Sequence, residues 1–345
     1  MKKFLCALLC LLMIVTLISC GKTEEPEKLK LGLGTYTETS ATDATEDANG
    51  KASAATTAAV ISVDAAGKVV ACVIDATDAT VEYTADGKAV ANQSFKTKNE
   101  LGTTYGMSTN PYAQDINKDG VVKEWNEQAN AFATLVIGKT LDEIKALVVG
   151  DGENEGRGTA DVMSAGCTIT VSEFVYAIED AFKNLTESEA TANDTLKLGV
   201  STEQTCTDAT EEKDGSNELE TTFFAAAVNA DSKIVAAYSD CVAVTFTFDA
   251  EGKSTFDTTK AITTKRVAGT AYGMSTNPYA KDLNNDGVVK EWNEQAAAFD
   301  AKCIGKTAAE VASLKNENGY GNSDVQSAGC TIIVDGFVKA ASKIG

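Results

Sequence analysis

The chain has 345 residues, a formal charge of −20 and no histidine at all. So acidic a polypeptide repels nucleic acid and anionic lipid head groups, and neither is expected as a partner. Without imidazole it lacks the commonest general base and the commonest ligand for zinc, copper and haem iron, which makes hydrolase triads and transition-metal centres poor expectations.

The N-terminal stretch "MKKFLCALLCLLMIVTLISC" places Lys2 and Lys3 before an apolar run that ends in Leu17-Ile18-Ser19-Cys20. It resembles a bacterial lipoprotein signal, whose last cysteine receives the lipid; a plain secretory signal or a membrane helix is the alternative. The reading removes residues 1–19, anchors Cys20 to the outer face of the bacterial cell membrane and leaves residues 20–28 as a charged tether. Beyond Cys20, the cysteines Cys72, Cys167, Cys206, Cys241, Cys303 and Cys330 form no C-x-x-C pair, and buried free thiols are expected.

The rest of the chain is duplicated. "YGMSTNPYA" at Tyr105–Ala113 returns at Tyr272–Ala280, and "DGVVKEWNEQA" at Asp119–Ala129 returns at Asp286–Ala296. A period this long indicates two tandem homologous domains rather than a solenoid of short repeats. They are placed at residues 29–185 and 196–345, joined by a polar linker over 186–195.

Each copy opens with strand-like sequence. "TTAAVISVDAAGKVVACVID" has two β-branched runs about a Gly turn, and "TTFFAAAVNADSKIVAAYS" repeats that layout, which reads as a β-hairpin. "TVEYTADGKAV" and "AVTFTFDAEGKST" are read as one further strand and turn each. Three helices are expected next. Trp125, Ala129, Phe132 and Val136 form one buried stripe, as do Trp292, Ala296, Phe299 and Cys303. Thr140 with Glu143, and Thr307 with Glu310, read as capping boxes that open a second helix. Ser172 and Asp335 read as N-caps of a third, with Phe174, Ala177 and Ile178 facing inward. Strands followed by helices, twice, make an α+β protein built of two antiparallel sheets.

Between the strands and the Trp125 helix lies "DINKDGVVKEWNE", repeated as "DLNNDGVVKEWNE". Oxygens at positions one, three and five, followed by glycine, resemble the start of an EF-hand or dockerin calcium loop. The expected Ca2+ ligands are Asp115, Asn117, Asp119, the carbonyl of Val121 and Glu127, and in the second copy Asp282, Asn284, Asp286, Val288 and Glu294. The glutamate stands one residue past the usual twelfth position, which Asn126 occupies. The plainer alternative is that these Asp and Asn residues only turn the chain and cap the helix.

"DVMSAGCTITVSEFVYAIEDA", from Asp161 to Ala181, and "DVQSAGCTIIVDGFVKAA", from Asp324 to Ala341, resemble the C-terminal segment of extracytoplasmic FMN-binding domains. In that family a D-x-x-S-G-A-T motif carries FMN, joined to the threonine through a phosphoester by a flavin transferase. The resemblance implies covalent FMN on Thr168 and Thr331, with Asp161, Ser164 and Gly166, and Asp324, Ser327 and Gly329, as the accompanying motif. It further implies electron relay from a membrane redox partner, with the flavin as the electron carrier. Here the motif reads S-A-G-C-T, with one residue more than in the family. The competing reading is a calcium-stabilised solute- or cell-wall-binding surface lipoprotein without flavin. A hydrolytic enzyme is the poorest fit, and the sequence leaves the oligomeric state open.

Overall fold

The computed structural model describes residues 26–110, 121–152, 155–276 and 287–345. In the first copy β1 (Lys30–Thr42), β2 (Gly50–Val63) and β3 (Val69–Tyr83) pair antiparallel, with Leu33 opposite Val60 and Val60 opposite Val73. The β2–β3 turn is the expected one: Asp64 Oδ1 accepts from the amides of Ala66 and Lys68, and Gly67 takes a φ of 76°. "TVEY" adds no further strand. It is the end of β3, and only the turn after Tyr83 and a single bridge to Ala89 follow it.

After the strands come α1 (Lys98–Leu101), α2 (Trp125–Leu135), α3 (Leu141–Lys145), α4 (Ala160–Ser164) and α5 (Ser172–Lys183). The three expected helices are α2, α3 and α5; α1 and α4 are short additions. The stretch between the copies is partly structured, since β4 (Thr186–Glu187) pairs with Lys30 and Leu31 of β1. The second copy repeats the plan with β5 (Thr195–Thr207), β6 (Gly215–Val228) and β7 (Ile234–Phe248). Its helices are α6 (Lys265–Ala268), α7 (Trp292–Cys303), α8 (Ala308–Val311), α9 (Ser323–Ser327) and α10 (Asp335–Ala341). The two sheets run β3-β2-β1-β4 and β5-β6-β7, so the fold is α+β.

The sheets pack on each other, and this follows from the sequence of their central strands. From Thr56 to Val63 every residue of β2 is buried, which a strand reaches only when both faces are covered. Ala54, Ala58 and Val60 join Phe223, Ala225 and Phe246 in one core between the sheets. Ala59 and Ile61 point the other way, into a core with Trp125, Phe132 and Ile178. Phe224 and Ala226 likewise face Trp292, Phe299 and Phe337. The order of layers is therefore helices, sheet, sheet, helices.

A pseudo-twofold axis runs through the middle. Tyr83 and Phe248, each the last residue of its third strand, stack with ring centroids 4.5 Å apart. Around them the contacts are reciprocal. Ala44 N donates to Gly252 O at 2.8 Å and Ala209 N to Gly87 O at 2.7 Å; Ser254 N donates to Asp43 Oδ1 at 2.9 Å and Ala89 N to Asp208 Oδ1 at 3.0 Å. Such pairing is the signature of an isologous dimer interface, here within one chain. Gly87 and Gly252 are needed there, because both take positive φ and a Cβ on either would run into the opposite copy.

One expected detail differs. The residues flanking α5 and α10 are Val171 and Val334, with Ser172 and Asp335 already inside the helices. The buried valines are fixed by tertiary bonds, Val171 N to Gly156 O and Val334 N to Gly319 O, and this sets the helix start instead of a polar cap. After Thr168 and Thr331 the chain forms only single bridges, at Thr170 and Ile333. The capping boxes at Thr140 and Thr307 are present as read. No described helix is long and apolar enough to cross a membrane.

Candidate functional site

The S-A-G-C-T segment is a helix stop. After α4, Gly166 takes a φ of 97°, its N–H donates to Met163 O at 2.9 Å, and Cys167 N donates to Val162 O at 3.2 Å. This is the Schellman pattern, in which a left-handed glycine ends the helix and the next residue packs back on its last turn. Cys167 and Val162 are both fully buried in the same core. The second copy does the same after α9, with Gly329 at φ 95° and bonds Gly329 N to Gln326 O and Cys330 N to Val325 O. The Ala, Gly and Cys of the segment thus end a helix in both copies. Asp161 and Ser164, and Asp324 and Ser327, stand exposed on α4 and α9.

Thr168 and Thr331 are half-buried, and their hydroxyls are committed. Gln128 Oε1 accepts from Thr168 N at 2.7 Å and Thr168 Oγ1 at 3.1 Å; Gln295 Oε1 accepts from Thr331 N at 2.7 Å and Thr331 Oγ1 at 3.0 Å. The amide nitrogens of these glutamines donate to Lys123 O at 2.9 Å and Lys290 O at 2.8 Å. One buried glutamine per copy therefore ties the turn to the start of the tryptophan helix. Lys123 and Lys290 reach over Gly166 and Gly329, where a Cβ would collide with their ammonium groups. A cation in that place suits the last carbonyls of a helix.

Of the expected metal ligands, Asp115, Asn117, Asp119, Asp282, Asn284 and Asp286 lie outside the described residues. Val121 and Val288 are exposed. Glu127 and Glu294 are engaged elsewhere. Glu127 Oε2 accepts from Glu124 N at 2.8 Å and Glu294 Oε2 from Glu291 N at 2.9 Å, closing the N-termini of α2 and α7. Among the described residues there is no group of three or more His, Cys, Asp or Glu placed to hold a metal.

Sequence reasoning missed Glu124 and Glu291, which close the stem of each acidic loop. Glu124 accepts from Met107 N at 2.9 Å, Ser108 N at 3.2 Å and the Ser108 hydroxyl; Glu291 accepts from Met274 N, Ser275 N and the Ser275 hydroxyl. The serine hydroxyl, with the backbone amides, holds each carboxyl below the usual glutamate range despite its burial. The "YGMS" turn and the first residue before the tryptophan helix are joined across the loop in both copies. A glutamate three residues before Glu127 was the only local sign.

A cleft of about 450 Å³ lies where the second copy meets the inter-copy stretch, lined among others by Leu31, Glu187, Ala236, Arg266, Asp300 and Ile304. Arg266 Nη1 donates to Asp300 Oδ2 at 2.6 Å and to Ser239 O at 2.8 Å, and its guanidinium lies 3.7 Å over the Tyr238 ring. The described cysteines, Cys72 to Cys330, are all free, and burial pushes the thiols of Cys72, Cys167, Cys241 and Cys330 up to about 12. They are poor nucleophiles at neutral pH. In comparisons with known proteins, no family model, no curated protein and no solved structure matches the chain.

Proposed function

We propose that the protein is a binding lipoprotein of the outer face of the bacterial cell membrane, anchored through Cys20, its two acidic loops stabilised by Ca2+ or a similar hard cation. The observation that carries this reading over a flavin relay is the commitment of both threonine hydroxyls to Gln128 and Gln295, next to a helix stop that explains the rest of the motif. A phosphoester at Thr168 Oγ1 would remove one of the two donors that the buried Gln128 Oε1 accepts from, leaving the Thr168 amide. The closed stems give the loops a fixed base in both copies, which suits cation binding by side-chain and backbone oxygens. The cleft beside Arg266 and Asp300 offers a place for a small polar solute, with walls of alanine, leucine and isoleucine.

A covalent flavin keeps one supporting observation, the Lys123 and Lys290 ammonium groups beside the threonine turns, which would offset a phosphate charge. One experiment separates the two. The chain from Gly21 onward is produced with and without a flavin transferase, and intact mass, in-gel flavin fluorescence and melting temperature in calcium or chelator are measured. The binding-protein reading expects no added mass and a melting temperature raised in calcium by about 2–4 °C or more. Added FMN mass that disappears in Thr168→Ala and Thr331→Ala would replace it with electron relay.

A further inference from the structure

Arg266 is held by one of its nitrogens only. Nη1 donates to Asp300 Oδ2 at 2.6 Å and to Ser239 O at 2.8 Å, and the Tyr238 ring under the guanidinium fixes its plane. A guanidinium has five N–H donors, so those of Nε and Nη2 are left over, without a partner among the described residues. The buried side-chain nitrogens and oxygens that lack a partner, again among the described residues, are Asn99 Oδ1, Asn126 Oδ1 and Asn293 Oδ1. Nε and Nη2 are therefore reached by solvent, through the cleft that Arg266 lines. The fold does not need them. In the first copy the corresponding Asn99 makes the matching bond, to Ile74 O, with a single amide group.

We infer that this cleft takes a small aliphatic carboxylate, its two oxygens on Arg266 Nε–H and Nη2–H and its hydrocarbon body against Ile304 and the alanines of α7. The inference rests on the solute-binding reading given above and names the solute class. The Nε–H and one Nη2–H run parallel, as the side-on edge of the guanidinium, and a carboxylate matches that edge with both oxygens. The carboxylates already lining the cleft are spent. Glu187 pairs with Lys30 at 2.8 Å, Glu189 with Lys28 at 2.6 Å, and Asp300 with Arg266 and Ser239. Leu31, Ala236, Ala297, Ala301 and the exposed Ile304 offer apolar wall, which suits a hydrocarbon rather than a sugar. The volume of about 450 Å³ falls within the roughly 300–1,000 Å³ of small-molecule sites. The formal charge of −20 opposes an anion at long range, but salt screens it beyond about 10 Å.

The chain from Gly21 onward is titrated with 3-methylbutanoate, 3-methylbutanamide and 3-methylbutylamine, by calorimetry and ligand-observed NMR, and far-UV circular dichroism checks the fold of every variant. The wild type should bind the carboxylate at least roughly tenfold more tightly than the amide or the amine, the worth of a charged hydrogen bond. Arg266→Lys keeps a cation for Asp300 but has no side-on edge, and should weaken the carboxylate by roughly tenfold or more. Arg266→Asn with Asp300→Ala, the first copy's own pair of residues, should remove binding and keep the fold. Because changes at Arg266 touch a packed corner, Ala301→Phe provides a separate arm: it fills the cleft from an exposed position of α7, leaves Arg266 in place and should also remove binding. Carboxylate affinity that survives both Arg266 variants, or that survives Ala301→Phe, would overturn the assignment and leave the solute-binding reading standing, as would equal affinity for amide or amine. A wild type that binds none of the three would overturn the assignment and the cleft's part in that reading as well.

Discussion

The two copies share a backbone plan and differ in how they fill one buried corner. In the first, Asn99 Nδ2 donates to Ile74 O at 3.0 Å, and the facing helix position is Ala133, a small core residue. In the second, the corresponding positions hold Arg266, Ser239 and Asp300: Arg266 donates to Ser239 O and to Asp300, and the Ser239 hydroxyl donates to Asp300 Oδ1 at 2.5 Å. The Asn99 amide makes this one bond with its nitrogen and leaves its Oδ1 buried without a partner. A guanidinium there needs a carboxylate, and the carboxylate needs the serine. The difference teaches that the fold tolerates either solution, so the ionic one is better explained by the cleft it borders than by stability, since a buried pair seldom outperforms an apolar isostere.

Breaking the ionic corner has the largest expected effect. Asp300→Ala leaves the Arg266 charge buried and unpaired and should cost roughly 3–5 kcal/mol, read as a lower denaturant midpoint. Transplanting the first copy's chemistry, as Arg266→Asn with Asp300→Ala, should recover most of that loss; a double variant as unstable as the single one would show that the pair itself is needed.

The next effect is one the copies share. Burial pushes the carboxyls of Asp75 and Asp240 up to about 6, against the hydrogen bonds that Thr97 and Thr264 supply. Because the folded state holds these protons more tightly than the ordinary value of 3.8, stability should rise as pH falls from about 6 toward 3.8, by roughly 2–3 kcal/mol for each carboxyl. The opposite sign applies to Glu124, Glu291 and Glu310, whose depressed pKa values make stability fall as pH drops below 4.5. Melting temperature against pH should therefore peak on the acid side of neutrality, and Asp75→Asn with Asp240→Asn should flatten the limb between 4 and 6.

Smallest is the test of equivalence between the threonine anchors. Gln128→Ala and Gln295→Ala should each cost roughly 1–3 kcal/mol, because each strands a half-buried threonine hydroxyl and amide. A marked inequality between them would mean that one turn is carried by something the other lacks.

Much of this architecture was legible in the sequence, for reasons that are local. The Trp125–Phe132 stripe, the Asp64 turn and the Thr140 and Thr307 capping boxes each act within a few residues, so periodicity and turn chemistry expose them. Burial of both faces of β2 was present in the unbroken run "TTAAVISV", but its partner, the second sheet, lies more than 100 residues on in the chain. The candidate site was less legible. Glu124 meets Ser108 and Gln128 meets Thr168 across 16 and 40 residues, and no short motif encodes such pairs. The S-A-G-C-T segment reads in two ways because a glycine helix stop and a family's attachment motif use the same small residues.

The reciprocal bonds about the Tyr83–Phe248 stack carry an evolutionary consequence. In an ordinary homodimer each amino-acid replacement is made on both sides of the axis, so a change useful at one site must be tolerable at its mirror image. Joining the halves into one polypeptide lifts that constraint and keeps their encounter intramolecular at high effective concentration. One half can then change without its mirror image changing, and the corners at Ala133 and Asp300 differ in just this way.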